Sequence, residues 1–245
     1  MAVSRTARIL SSVPVGERGR LLELQLQGED ELGFTGGQYL IFNTGVPRAD
    51  GKAHKRAYSV VSSDADQRTF RICVYRLAQG PGSAMLHDAP VGTELPFSGP
   101  WGSFLPDDST PRNTLVVATD SGITAALGLL HGRAFAPQRT RTRVLWFSES
   151  STVFLPSEKV REEVEALGCH FQHHDCPPPG HSERTARALA LAQEAARAHG
   201  PERVYLAGDG AVLHPLKQAL VESGLEAGAI RLESFFNNPA RKAAA

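Results

Sequence analysis

The sequence has little cysteine, no excess of charge of either sign and no long apolar run. Three cysteines in 245 residues, Cys73, Cys169 and Cys176, are too few and too scattered for a disulfide framework. They are also one short of the four needed for an all-cysteine iron–sulfur cluster. Lys plus Arg and Asp plus Glu both number 26, so no broad basic field exists to attract nucleic acid. No stretch approaches the ~18 apolar residues of a membrane span, and Arg5 and Arg8 interrupt the mildly apolar N-terminus where a signal peptide needs an unbroken core. With 41% hydrophobic and 21% charged residues, the composition excludes a disordered or fibrous chain. The expectation is a soluble cytoplasmic protein, monomeric, with neither nucleic acid nor membrane as partner.

The two halves differ in rhythm. Residues 21–26, 38–43, 57–62, 70–76 and 93–97 read as short strands between Gly and Pro signals, with one short helix near 83–89. This pattern predicts a closed antiparallel β-barrel. From Asn113 onward, strands at 115–118, 144–147, 170–172 and 204–207 alternate with helices at 122–130, 157–167, 183–199 and 212–223. Right-handed crossovers then give a parallel sheet with helices on both faces. The fold class is therefore β + α/β, with a barrel over 1–108, an α/β domain over 109–232 and a tail over 233–245.

Four segments carry chemistry. Arg56-Ala57-Tyr58-Ser59 places a cation beside an aromatic ring on one strand, which suits a ligand joining phosphate to a flat heterocycle. Gly80-Pro81-Gly82-Ser83 leads into the short helix, and a helix start receives anions. Thr119-Asp120-Ser121-Gly122-Ile123-Thr124 follows an apolar strand and opens a helix, where α/β sheets bind nucleotides, although it is not G-x-G-x-x-G and Asp120 would repel phosphate. Gly208-Asp209-Gly210 follows a later strand. A fifth cluster, Cys169, His170, His173, His174 and Cys176, has residues that can hold zinc; the plainer reading is a strand end followed by a surface loop, and no metal is assigned.

In this order the four segments, together with Ser98-Gly99-Pro100-Trp101-Gly102, resemble the ferredoxin–NADP⁺ reductase superfamily from about Ala2 to Phe236. The resemblance implies bound FAD, with NAD(P)H as co-substrate and single electrons leaving to a separate acceptor protein such as a ferredoxin, a flavodoxin or an oxygenase component. It implies that Arg56 holds a flavin phosphate, that Ala57 and Tyr58 pack at the isoalloxazine and that Ser59 bonds near its N5. Cys73, Val74, Tyr75 and Arg76 match the next flavin-binding strand. Gly82, Ser83 and the backbone of Ala84 match the pyrophosphate turn, and Thr124 is a further cofactor contact. Thr119, Gly122, Ile123, Gly208 and Asp209 match the nucleotide turns. In the tail, Phe235 and Phe236 would cover the flavin while Glu233 relays a proton, making Tyr58, Ser59 and Glu233 the catalytic set.

Two segments depart from the family pattern: A-T-D-S-G-I-T-A stands for A-G-G-x-G-I-T-P, and Ala207-Gly208-Asp209 stands for C-G-P. A free-flavin reductase and a non-catalytic flavin-binding subunit are the alternatives. Glu149, just past the strand at 144–147, would repel a 2′-phosphate and favours NADH. Against it stand the hydroxyl run from Ser148 to Thr152, and Lys159 and Arg161 if they fold back.

Overall fold

The computed structural model describes residues 4–28, 30–107, 109, 111–149 and 152–238. Its first half is a six-stranded antiparallel sheet of β1 (Arg5–Val15), β2 (Gly19–Leu26), β3 (Tyr39–Pro47), β4 (Ala53–Ser59), β5 (Thr69–Tyr75) and β6 (Glu94–Trp101), in the order β4-β3-β6-β1-β2-β5. The outer strands meet at the bridge Val60↔Ile72, which closes the sheet. Alternation turns Leu22, Leu24, Phe42, Phe70, Ile72, Val74 and Phe97 inward, and Phe42, Phe70 and Phe97 form the aromatic centre of the barrel. Strand β1 was not among the expected strands. Its buried apolar side chains within the barrel core are Ala7 and Ile9, and the register slips between Ile9 and Ser11, so the two-residue period is broken. Helix α1 (Pro81–Asp88) follows β5.

The second half is a five-stranded parallel sheet of β7 (Thr114–Thr119), β8 (Thr142–Ser148), β9 (His170–Asp175), β10 (Arg203–Asp209) and β11 (Ile230–Phe236), in the order β11-β10-β7-β8-β9. Helices α2 (Ile123–His131), α3 (Ser157–Ala166), α4 (Arg184–His199) and α5 (Gly210–Glu222) connect them. Strand β7 is buried along its whole length, because helices cover both faces of a parallel sheet. Val116 and Ala118 point to the core shared with α2 and the barrel, while Leu115 and Val117 point to α4 and α5. Strand β9 runs three residues beyond the expected 170–172, so His173 and His174 stand on a strand rather than a loop. The tail expected from residue 233 begins inside β11.

Helix α2 is buried from Ile123 to Leu130 because it lies between sheet and barrel. The approach requires glycine: a β-carbon at Gly128 would stand 2.2 Å from the Val60 carbonyl oxygen, and one at Gly36 would stand 2.4 Å from the Gly128 carbonyl oxygen. Beside this contact the buried Asp64 carboxylate accepts from the backbone N–H of Gly36 (3.0 Å) and of Arg133 (2.9 Å). One carboxylate thus bonds both halves and fixes the cleft between them.

Candidate active site in the cleft

A cavity of about 490 Å³ lies in this cleft. On the barrel side it is lined by all four residues of Arg56-Ala57-Tyr58-Ser59, by Cys73 and Tyr75, and by Leu77 and Ser83. Cys73 and Tyr75 face it because they alternate with Val74, whose side chain lies in the barrel core; of Val74, only the backbone is left for a ligand. Tyr58 rests edge-on against Phe42, with 6.1 Å between ring centres, and burial raises its phenol pKa above the ordinary range. The Ser59 side chain is buried at the cavity wall. Arg56 donates to its neighbour's carbonyl, Lys55 O (2.9 Å), and among the described residues no carboxylate pairs with it.

The start of α1 lies against this cation. A β-carbon at Gly82 would stand 3.2 Å from Arg56 Cγ and 3.3 Å from Thr44 Cγ2, so glycine keeps the helix start and the arginine together. Ser83 Oγ is turned inward, donating to Gly80 O and accepting from Leu77 N–H, so it braces the turn. Leu77 also borders a second hollow of about 460 Å³, flanked by Arg18, Arg76 and Ala84. Arg76 is engaged there by Asp88. An unpaired arginine over a helix N-terminus, an aromatic wall on one side and a second hollow on the other fit a flavin dinucleotide.

On the sheet side the cavity is lined by Asp120, Ser121, Thr124, Trp146, Ser148 and Glu149. Thr119 and Gly208 do not reach it; they hold the two strand-end turns together. Asp209 N–H donates to Thr119 Oγ1 (2.6 Å), and a β-carbon at Gly208 (φ +126°) would collide with the Thr119 carbonyl. Gly122 is equally constrained, its β-carbon position lying 2.1 Å from the Ala207 carbonyl oxygen. Ile123 is core. Phe235 and Phe236 both line the cavity, although neighbours on a strand should face opposite ways. The reason is a bulge: Gly208 pairs with Ser234 but Asp209 with Phe236, which leaves Phe235 as an extra residue.

Arg184, at the start of α4, is the residue that the sequence reading missed. It is 2% exposed, and its guanidinium bonds to the Asp120 carboxylate, to Asp209 Oδ2 (3.2 Å) and to the Pro177 carbonyl. Asp209 also caps α5 through Ala211 N–H and accepts from Asn237 Nδ2. The two aspartates at which the motifs depart from the family pattern therefore share one buried cation. Burial pushes the Asp120 carboxyl up to about 6, against the pull of Arg184. Trp146 Nε1 donates to the Asp120 carbonyl (2.9 Å) and holds its left-handed backbone, φ +48°.

The remaining expected residues lie elsewhere. Arg161 does not fold back: it pairs with Glu158 and Glu165 and covers the Phe171 ring. Ser150 and Ser151 of the hydroxyl run lie outside the described residues. In the Cys–His cluster, His173 bonds Ser148 Oγ (2.8 Å) and His174 stacks on Phe147. Among the described residues no three His, Cys, Asp or Glu side chains are grouped to hold a metal, and no helix is long and apolar enough to cross a membrane. Glu233 stands near Gly102, and burial pushes its carboxyl up to about 7. Because the folded protein holds that proton more tightly than the unfolded chain, Glu233 makes stability fall as pH rises from about 4.5 through about 7. In urea unfolding followed by circular dichroism, Glu233→Gln should flatten this decline by roughly 3 kcal/mol; an unchanged slope would refute it.

Residues 6–105 match the family model described as the oxidoreductase FAD-binding domain. The match takes in the barrel and stops short of the α/β half of the chain. Ferredoxin–NADP reductase B of Sorangium cellulosum is 29% identical over 163 residues, which cover 66% of this chain and 63% of that protein. The glycine betaine monooxygenase reductase subunit of Chromohalobacter salexigens is 32% identical over 97 residues, 39% of this chain and 26% of that one. The chain spans less than two thirds of the length of these relatives. The fold matches the flavohem-like FAD/NAD-binding domain of nitric oxide dioxygenase from Vibrio cholerae, with a TM-score of 0.73, 16% identity, and 94% of this chain and 98% of that one covered. It also matches the ferredoxin reductase of carbazole 1,9a-dioxygenase, with a TM-score of 0.78, 16% identity, and 96% and 70% covered.

Proposed function

We propose that this protein is a flavin reductase component: it takes hydride from NAD(P)H onto bound FAD and passes electrons singly to a separate acceptor protein, a ferredoxin or an oxygenase component. The observation that carries this reading is the single cavity between the flavin-type strand β4 and the strand-end turns of β7 and β8. FAD supplies the conversion of a two-electron hydride donor into one-electron steps. The chain supplies binding and orientation. Arg56 and the start of α1 neutralise phosphate, and Tyr58 offers an apolar plate. The Ser59 hydroxyl gives a hydrogen bond at the wall, and Phe235 and Phe236 exclude water. The Glu233 carboxyl, held near neutrality, can hold or release a proton at working pH. Glu149, exposed at the cavity mouth and with Arg161 turned away, favours NADH. The same reading divides the chain into a flavin-binding part to residue 108 and a nucleotide-binding part from 109.

The test is direct. The purified protein should be yellow and release FAD on acid treatment, and NADH should bleach it within milliseconds in stopped flow. Its kcat/KM for NADH should exceed that for NADPH, and reduced protein should reoxidise with a ferredoxin faster than with free flavin. Release of FMN would overturn the choice of cofactor. Flavin that binds but is reduced by neither nucleotide would make this a binding subunit, and a tenfold preference for NADPH would reverse the role of Glu149.

A further inference from the structure

The sheet side of the cavity is acidic. Asp120 and Glu149 line it, and among the described residues the one basic lining residue, Arg56, belongs to the barrel side. Behind the wall, Arg184 is a cation shared by Asp120 and Asp209. Two carboxylates thus share one guanidinium, with Glu149 also lining the cavity, where the strand-end turns of such sheets receive a dinucleotide's phosphates. The carboxylates are not equivalent. Asp209 is 1% exposed and its carboxylate is fully engaged, accepting from the Arg184 guanidinium, the Ala211 N–H and the Asn237 amide. Glu149 is exposed and solvated. Asp120 is the intermediate case: its side chain is 22% exposed, at the cavity wall, with one oxygen on Arg184.

We propose that a pyridine dinucleotide enters this site together with one proton, which Asp120 takes up. This rests on the reading that the cavity binds NAD(P)H. The step moves no electrons: a carboxylate becomes a carboxylic acid, the proton comes from solvent, and one negative charge is removed beside the incoming phosphates. The groups facing Asp120 are Arg184 of α4, Asp209 of β10, Glu149 after β8 and the buried thiol of Cys176. Behind Trp146 stands His173, whose pKa burial lowers. Of these, only Arg184 opposes protonation at neutral pH. The carboxyl already stands at about 6 in the free protein. A phosphate drawn close raises it further, since a like charge disfavours the ionised form.

Calorimetry separates this inference from the reading beneath it. NAD⁺ is titrated into the FAD-loaded oxidised protein at pH 7, in phosphate and in Tris, whose ionisation enthalpies differ. If binding raises the Asp120 pKa by about one unit, the buffer difference should report roughly half a proton taken up, and Kd should be roughly fivefold lower at pH 6 than at pH 8. Asp120→Asn should abolish both the uptake and the pH dependence, whereas Glu149→Gln should keep them. Binding with no uptake in the unmodified protein overturns the proposal, as does uptake that survives in Asp120→Asn or disappears in Glu149→Gln. If Asp120→Asn does not fold, the buffer series on the unmodified protein and on Glu149→Gln decides the matter. Absence of nucleotide binding at every pH removes the underlying reading as well.

Discussion

Replacing Arg184 with methionine is expected to destabilise the protein by about 3–5 kcal/mol, the cost of breaking a buried ion pair from one side. Methionine is close in length and fills irregular space well, so a cavity contributes little to this cost. The main term is electrostatic. Without the guanidinium, Asp209, at 1% exposed, and Asp120 face one another with no cation between them. The Pro177 carbonyl also loses its donor. The Asp120 carboxyl, already raised by burial, would lose the opposing pull of Arg184 and bind its proton more tightly still than in the unfolded chain, so the variant should lose stability more steeply as pH rises. Adding Asp120→Asn and Asp209→Asn should return part of the loss, because amides do not need the missing charge. Urea unfolding at several pH values measures all three effects. A loss below about 1 kcal/mol would mean that water already screens this cluster.

Arg184 also marks the limit of what the sequence displays. Its carboxylate partners lie 64 and 25 residues away, and nothing local to an alanine-rich helix start announces them. Read alone, Asp120 looked like a departure from the motif and Asp209 like a nucleotide contact. Only the fold brings them to one cation. By contrast, Arg56 to Ser59 and Gly80 to Ser83 were legible because neighbours in sequence remain neighbours in the site. Strand β7 was legible from its unbroken apolar run, and strand β1 was not, because its bulge cancels the alternation. The two phenylalanines fall between these cases. Their types point to a ring-covering role, but the bulge that turns both to the cavity depends on the pairing of β10 with β11. The same pairing draws residues 233–236 into the sheet, which no local signal in the tail reveals.

Loss of the Tyr58 ring should weaken flavin binding by on the order of a hundredfold. The ring lines the barrel wall of the cavity and packs against the barrel core, so the protein's own contacts set its position. Phe42 holds it from behind in an edge-on contact, and Arg56 lies two residues before it on the same strand. Pre-set aromatic area costs little entropy on binding, and a stacked pair adds to the area term; about 2–3 kcal/mol together corresponds to the hundredfold change. The phenol itself contributes less. Its raised pKa keeps it neutral at any working pH, so no charge is lost in Tyr58→Phe. Tyr58→Phe should therefore hold FAD within about threefold of the unmodified protein, whereas Tyr58→Ala should be isolated largely colourless and bind added FAD only weakly. Circular dichroism checks that the barrel survives, which is expected because the core rings Phe42, Phe70 and Phe97 are untouched. Fluorescence titration of the flavin-free protein gives the two Kd values. Equal affinities for Tyr58→Ala and Tyr58→Phe would show that the ring is a wall of the cleft and not the surface on which the flavin lies.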